Sequence, residues 1–197
     1  MENSGLSEKK AKFHITFNAP VVLCFSGICL IATILGQLSN GSISMLLFST
    51  YRNSLASPLT YVRLFTHVFG HSGWDHFFGN ISLLLLVGPL LEEKYGSKVI
   101  IELIGLTALA TGLINNIFFP NIAILGASGV VFAFILISSL TGFKQGEIPL
   151  TFILVAIIYL GAQIYDGIFV QDNISNMAHI VGGIVGALSG FLLVNEK

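Results

Sequence analysis

Six apolar segments recur along this chain, over 18–38, 74–91, 98–118, 126–142, 148–164 and 175–194. A helix needs about 20 mostly apolar residues to cross the hydrocarbon of a bilayer. A chain built this way has lipid for a solvent, and its backbone polar groups must be satisfied within helices. Composition agrees: 54% of residues are hydrophobic and only 10% charged, against about 25% charged in a soluble domain. The spacing predicts an all-α membrane protein, a bundle of six transmembrane helices. Residues 1–17 form a cytoplasmic tail, 18–197 the membrane domain, and 39–73 a long outer loop.

The first apolar run follows Lys9, Lys10 and Lys12. At more than 20 residues it exceeds the roughly 7–15 of a cleavable signal and reads as a spanning helix. Lys and Arg gather on the cytoplasmic side of a spanning protein. With the N-terminus inside, that side holds Lys9, Lys10, Lys12, Lys94, Lys98, Lys144 and Lys197, and the outer side only Arg52 and Arg63. Both termini are therefore expected in the cytoplasm. The net charge is −1 and no basic stripe exists, so nucleic acid is not an expected partner. Cys24 and Cys29 lie five apart in one apolar run and face away from each other on a helix, which suits neither a disulfide nor a metal pair.

Polar side chains inside an apolar helix are costly and need a reason. Here they gather in three places: Thr66 to Asn80 at the start of the second helix, Gly126-Ala127-Ser128-Gly129 at the start of the fourth, and Asn176-Met177-Ala178-His179 at the start of the sixth. Under the topology above, all three helices run inward. Ser128, His179, His76 and Asn80 then share a layer about 3–10 Å below the outer surface, at about 1.5 Å of rise per residue. His76 and Asn80 are four apart and share a helix face.

That layer holds the parts of a hydrolytic site. A serine hydroxyl becomes a nucleophile when a base takes its proton. His179 can serve as that base, and with no acidic residue near it on its helix the pair is a dyad. Phe132, one turn after Ser128, is placed to stack on the imidazole. The tetrahedral oxyanion needs preplaced donors; the Ser128 N–H, the Asn80 amide and the His76 ring are available. Gly182, Gly186 and Gly190 repeat every four residues, a spacing that lets helix backbones approach closely in a membrane. They are expected to seat the sixth helix on the fourth and bring His179 to Ser128.

These residues resemble the rhomboid family of intramembrane serine proteases. The second-helix pattern is matched by Arg63, Thr66, His71, His76, Asn80, Gly88, Glu92 and Gly96, the GxSG loop by Gly126, Ser128 and Gly129, and the AHxxGxxxG helix by Ala178, His179, Gly182 and Gly186. The resemblance implies a six-helix bundle with a water-filled cavity open to the outside, a Ser128–His179 dyad, and His76 and Asn80 as oxyanion donors. It implies no cofactor and no metal. The implied partners are membrane lipid and single-spanning protein substrates, cut where helix-breakers loosen the helix. It further implies that the fifth helix, 148–164, and the loop 165–174 gate entry, and that the setting is the plasma membrane of a prokaryote. Two positions depart from the family pattern: Val62 where Trp is frequent, and Phe132 where Tyr is frequent.

Other readings are weighed on the same residues. His67 and His71 have zinc-ligand spacing, but no HExxH accompanies them; His71 is expected to hydrogen-bond within the first loop, and His67 has no assigned role. Glu92 and Glu93 read as a solvated or structural pair, Asn115 and Asn116 as helix-end groups, and Asp166 and Asp172 as loop residues. A transporter would need polar residues across the full membrane depth. A catalytically inactive relative that binds membrane clients would lack the Ser or the His.

Overall fold

The computed structural model describes residues 15–141, 147–169 and 176–195. The order is α1 (Pro20–Leu38), α2 (Ser42–Leu47), α3 (Pro58–Thr66) with a 3-10 turn (His67–Phe69), α4 (Trp74–Tyr95), α5 (Ser97–Phe118), α6 (Ser128–Ser139), α7 (Leu150–Phe169) and α8 (Asn176–Asn195). There is no strand among the described residues, only the isolated antiparallel bridge between Thr50 and Ile124. Five helices are long and apolar enough to cross a membrane: α1, α4, α5, α7 and α8.

The fourth expected helix differs from expectation. Instead of 126–142, α6 covers 12 residues, or about 18 Å, short of the roughly 30 Å hydrocarbon layer. The reason lies in its surroundings. Val130, Val131 and the run Ala133–Ile137 are all buried. A helix that is apolar all round and covered all round meets protein, not lipid, so its length need not match the bilayer. Around it, Leu84, Leu91 and Ile100 complete the core with Phe134 at its centre.

Helix ends follow local chemistry. Pro20 starts α1, where its missing N–H costs nothing. α4 runs to Tyr95, past the expected end at 91, and stops at Gly96 with φ +84°, a conformation that favours glycine. Glu92 therefore lies within the helix, 4% exposed. Its carboxylate accepts from the Val21 and Val22 N–H groups, both at 3.0 Å, and from the Ser97 hydroxyl at 2.7 Å. Those two N–H groups belong to the first turn of α1, whose N-cap residue Ala19 offers no side-chain acceptor. Glu92 thus supplies from another helix the cap that α1 lacks. The solvated-pair reading holds only for Glu93, which is exposed.

The segment 39–73 is folded. Arg63 Nε donates to Leu46 O at 2.7 Å, and its guanidinium lies 4.7 Å from the centre of the Tyr51 ring. The Thr66 hydroxyl donates to Leu47 O. Asn115 and Asn116 do more than end α5: Asn115 donates to Ile122 O at 2.8 Å and Asn116 to the Thr50 hydroxyl at 3.2 Å. α7 extends to Phe169, so Asp166 is helical and half-buried instead of lying in a loop. Asp172 lies outside the described residues. Cys24 is exposed and Cys29 buried, both as free thiols.

Candidate active site

Ser128 is the first residue of α6 and His179 the fourth of α8. The two helices cross where neither has a side chain in the way. A methyl on Gly182 would fall inside the Gly129 carbonyl, 2.7 Å from its carbon, and one on Gly186 would stand 2.7 Å from the Ala133 carbonyl carbon. A methyl on Gly129 would lie 3.3 Å from Ala178 O. The small-residue repeat therefore seats α8 on α6 as expected, with the neighbours of Ser128 and His179 in backbone contact.

The rings in this seam are ordered. Phe132 and His179 stack with centroids 4.5 Å apart and planes 5° from parallel, and Tyr159 of α7 meets Phe132 edge-on at 5.8 Å. His179 is 9% exposed. Its Nδ1 lies 2.5 Å from Oε1 of Gln163, on α7.

The loop before Ser128 is held from two sides. Thr50 and Ile124 exchange backbone hydrogen bonds at 2.9 and 3.0 Å, and Gly126 N–H donates to His67 O at 2.9 Å. Gly126 has φ +134°, which an L side chain rarely adopts. A Cβ there would stand 2.8 Å from Cε1 and Nε2 of His76 and 3.7 Å from the Ser128 hydroxyl oxygen. His76 Nε2 and Ser128 Oγ thus flank one bare glycine. One turn on from His76, Asn80 is 8% exposed and its Nδ2 has no hydrogen-bond partner among the described residues. A buried amide donor left free is costly and fits a group reserved for a charge that develops later. Three separate helices thus converge, as α4 brings His76 and Asn80, α6 Ser128, and α8 His179.

Several supporting groups carried no signal of their own in the sequence. The Ser72 hydroxyl lies 3.2 Å from His76 Nδ1; donating there, it leaves the ring proton on Nε2, toward Gly126. His71 donates from Nδ1 to Phe69 O at 3.2 Å, within the first loop as expected, and packs edge-on against His76 at 5.0 Å. His67 acquires a role. Its Nδ1 donates to Arg63 O at 3.0 Å and its Nε2 meets the Thr111 hydroxyl at 3.1 Å, tying the loop to α5. Burial pushes the His67 imidazole down to about 4. His71 is likewise pushed down to about 4, first by burial and then by the nearby His76. Both rings are neutral near pH 7.

A family model described as the Rhomboid domain matches residues 58–196. The chain belongs to the rhomboid family. It is an integral membrane protein of that family, with several apolar spanning helices. Similar proteins include Rhomboid-related protein 2 of Mus musculus, 31% identical over 70% of this chain and 52% of that one. Rhomboid protease GluP of Bacillus subtilis is 32% identical over 75% of this chain and 29% of its own length. Rhomboid protease GlpG of Serratia proteamaculans is 25% identical over 87% of this chain and 62% of its own. This rhomboid thus spans less than two thirds of the length of each of these relatives.

Proposed function

We propose that this rhomboid is a serine endopeptidase that cuts the transmembrane segments of single-spanning proteins near the outer face. The observation that carries the reading is the His179 ring lying flat on Phe132, one turn below Ser128, across a glycine seam. The stack needs only an aromatic face, so Phe132 serves where the family frequently has Tyr.

In this reading Ser128 Oγ attacks the scissile carbonyl carbon while its proton passes to His179 Nε2. The carbonyl oxygen becomes an oxyanion and is met by His76 Nε2–H and Asn80 Nδ2–H. As the tetrahedral intermediate collapses, the C–N bond breaks and the imidazolium returns the proton to the departing amine. Water then attacks the acyl-enzyme, giving a proton to Nε2, and the acid leaves as Ser128 recovers its hydrogen. An intact helix engages its own carbonyls, so the cut falls where the substrate helix is frayed.

The proposal includes six membrane-embedded helices with both termini in the cytoplasm, supported by the excess of Lys on one side. A bacterial relative that pairs with 87% of this chain supports a prokaryotic plasma membrane as its setting. Two names among the relatives contain the word protease, which supports the reaction class.

The test is cleavage of a fluorescent single-span substrate in liposomes, together with labelling by a fluorophosphonate. Ser128→Ala should lower cleavage to background, a loss of about 10³-fold or more, without change in melting temperature, and should abolish labelling. A Ser128→Ala protein that still cleaves, or a wild type that never takes up the reagent, would overturn the assignment.

A further inference from the structure

We infer that Gln163 is the positioning residue of the site: its side-chain carbonyl holds the Nδ1–H of His179 and so orients the base. This rests on the Ser128–His179 reading and deepens it. A stack on Phe132 fixes the plane of the imidazole, 5° from parallel, but does not choose which edge of the ring faces Ser128. A half-turn about the Cβ–Cγ bond keeps the stack and exchanges the ring edges, so stacking alone does not aim Nε2. A hydrogen bond at Nδ1 removes that freedom. Oε1 of Gln163 stands 2.5 Å from Nδ1, within hydrogen-bonding reach.

The protonation state follows from the partner. An amide oxygen only accepts, so Nδ1 carries the hydrogen and Nε2 of the neutral ring carries the lone pair. That is the tautomer a general base needs for the Ser128 proton. When Nε2 takes up that proton, the Nδ1–H bond to Gln163 becomes charge-assisted and strengthens. A carboxylate in this place would hold the imidazolium more tightly, at the cost of burying a charge beside lipid. The neutral amide orients the ring without that cost.

The contact also has a mechanical side. Gln163 is half-buried on α7, a helix with no fully buried residue. The orienting group is therefore delivered by the helix with the least covered surface, and the aim of the base depends on α7 being docked.

The experiment compares wild type, Gln163→Met and Gln163→Glu for kcat and KM on the single-span substrate in liposomes and for the rate of fluorophosphonate labelling. Melting temperature serves as the fold control, and His179→Ala is run alongside. Met fills the space without an acceptor; Glu keeps an oxygen at the same reach. Gln163→Met should lower kcat and the labelling rate together by about 10- to 100-fold, with KM within about twofold and melting temperature unchanged. Gln163→Glu should recover most of the kcat. Wild-type kcat and labelling in Gln163→Met overturn the inference while leaving the dyad intact. So does a change confined to KM, which would make Gln163 a substrate contact. Equal loss in the Met and Glu variants also overturns it, since the acceptor would then not be what matters. A His179→Ala protein that labels at the wild-type rate overturns the dyad and the inference with it.

Discussion

The two helices that flank α8 do so in different ways. Against α6, α8 lays backbone on backbone: the groups that a methyl on Gly182 or Gly186 would strike are the carbonyls of Gly129 and Ala133. Against α7, it meets side chains: the nearest neighbour of a methyl on Gly183 would be the tip of Leu160. α6 is buried over most of its length, whereas no residue of α7 is fully buried. Backbone carbonyls cannot move aside, and side-chain tips can. The bundle is therefore rigid where α6 and α8 meet and compliant along α7. Both arrangements suit the proposed function, in which an atomic distance stays fixed while a bulky segment enters from lipid.

The largest effect should come from adding the same bulk on the two sides. Gly182→Val forces atoms into the Gly129 carbonyl, so α8 must move off α6. We expect a loss of about 3 kcal/mol or more in stability and cleavage at background. Gly161→Val, on α7, places its side chain where nothing lies within 4 Å; cleavage and melting temperature should stay within about twofold and a few degrees of wild type. Thermal melts and liposome cleavage read both. Equal damage from the two variants would erase the distinction between the helices.

The contrast also marks what was legible in the sequence. The seam was, because glycine spacing is a one-dimensional pattern with one physical reading. Ser128, His179, His76 and Asn80 could be singled out as candidates, because polar groups in apolar helices are rare and each demands a reason. Gln163 was not. It sits in an apolar helix 16 residues before His179, and only the way α7 lies on α8 turns its amide toward that ring. Ser72 and Thr111 were hidden for the same reason, since hydroxyls are tolerated in most settings and carry little positional information. α6 was read too long because apolar content does not separate a helix covered by protein from one covered by lipid. For Glu92 the sequence left solvated and structural readings open, because a carboxylate beside Glu93 and Lys94 can look solvated until α1 arrives with two unpaired N–H groups.

A second, smaller effect tests the fixed side at the opposite end. Glu92 holds the first turn of α1 through two charge-assisted hydrogen bonds, at 3.0 Å each. Glu92→Gln keeps the shape, removes the charge and turns an amide NH2 toward one of the two N–H groups. We expect a loss of about 2 kcal/mol, read as a fall of roughly 5 °C in melting temperature. The kcat of the remaining folded protein should be little changed, because this clasp lies at the far end of α4 from His76. A large fall in kcat at unchanged stability would mean that the two ends of α4 are coupled and that the rigid side extends further than the seam.

The smallest effect concerns pH and the first loop, which His67 and His71 fasten to the rigid side. Both imidazoles sit at about 4 in the folded protein, below the ordinary value of about 6.5. The unfolded chain therefore takes up protons at these positions before the folded one does, and stability falls as pH drops from about 6.5 toward 4. Above that window the two rings are neutral in both states and contribute no slope. His67 is 2% exposed, with the backbone carbonyl of Arg63 and the Thr111 hydroxyl as ring partners, so protonation places a charge where burial disfavours it. His67→Gln retains hydrogen-bonding capacity and removes the titration. Its melting temperature should fall less steeply between pH 6.5 and 4.5 than that of wild type, with a similar result for His71→Gln. Parallel slopes in all three proteins would show that these two rings do not set the acid sensitivity of the loop, and that its fastening rests on Arg63 and the Thr50–Ile124 bridge instead.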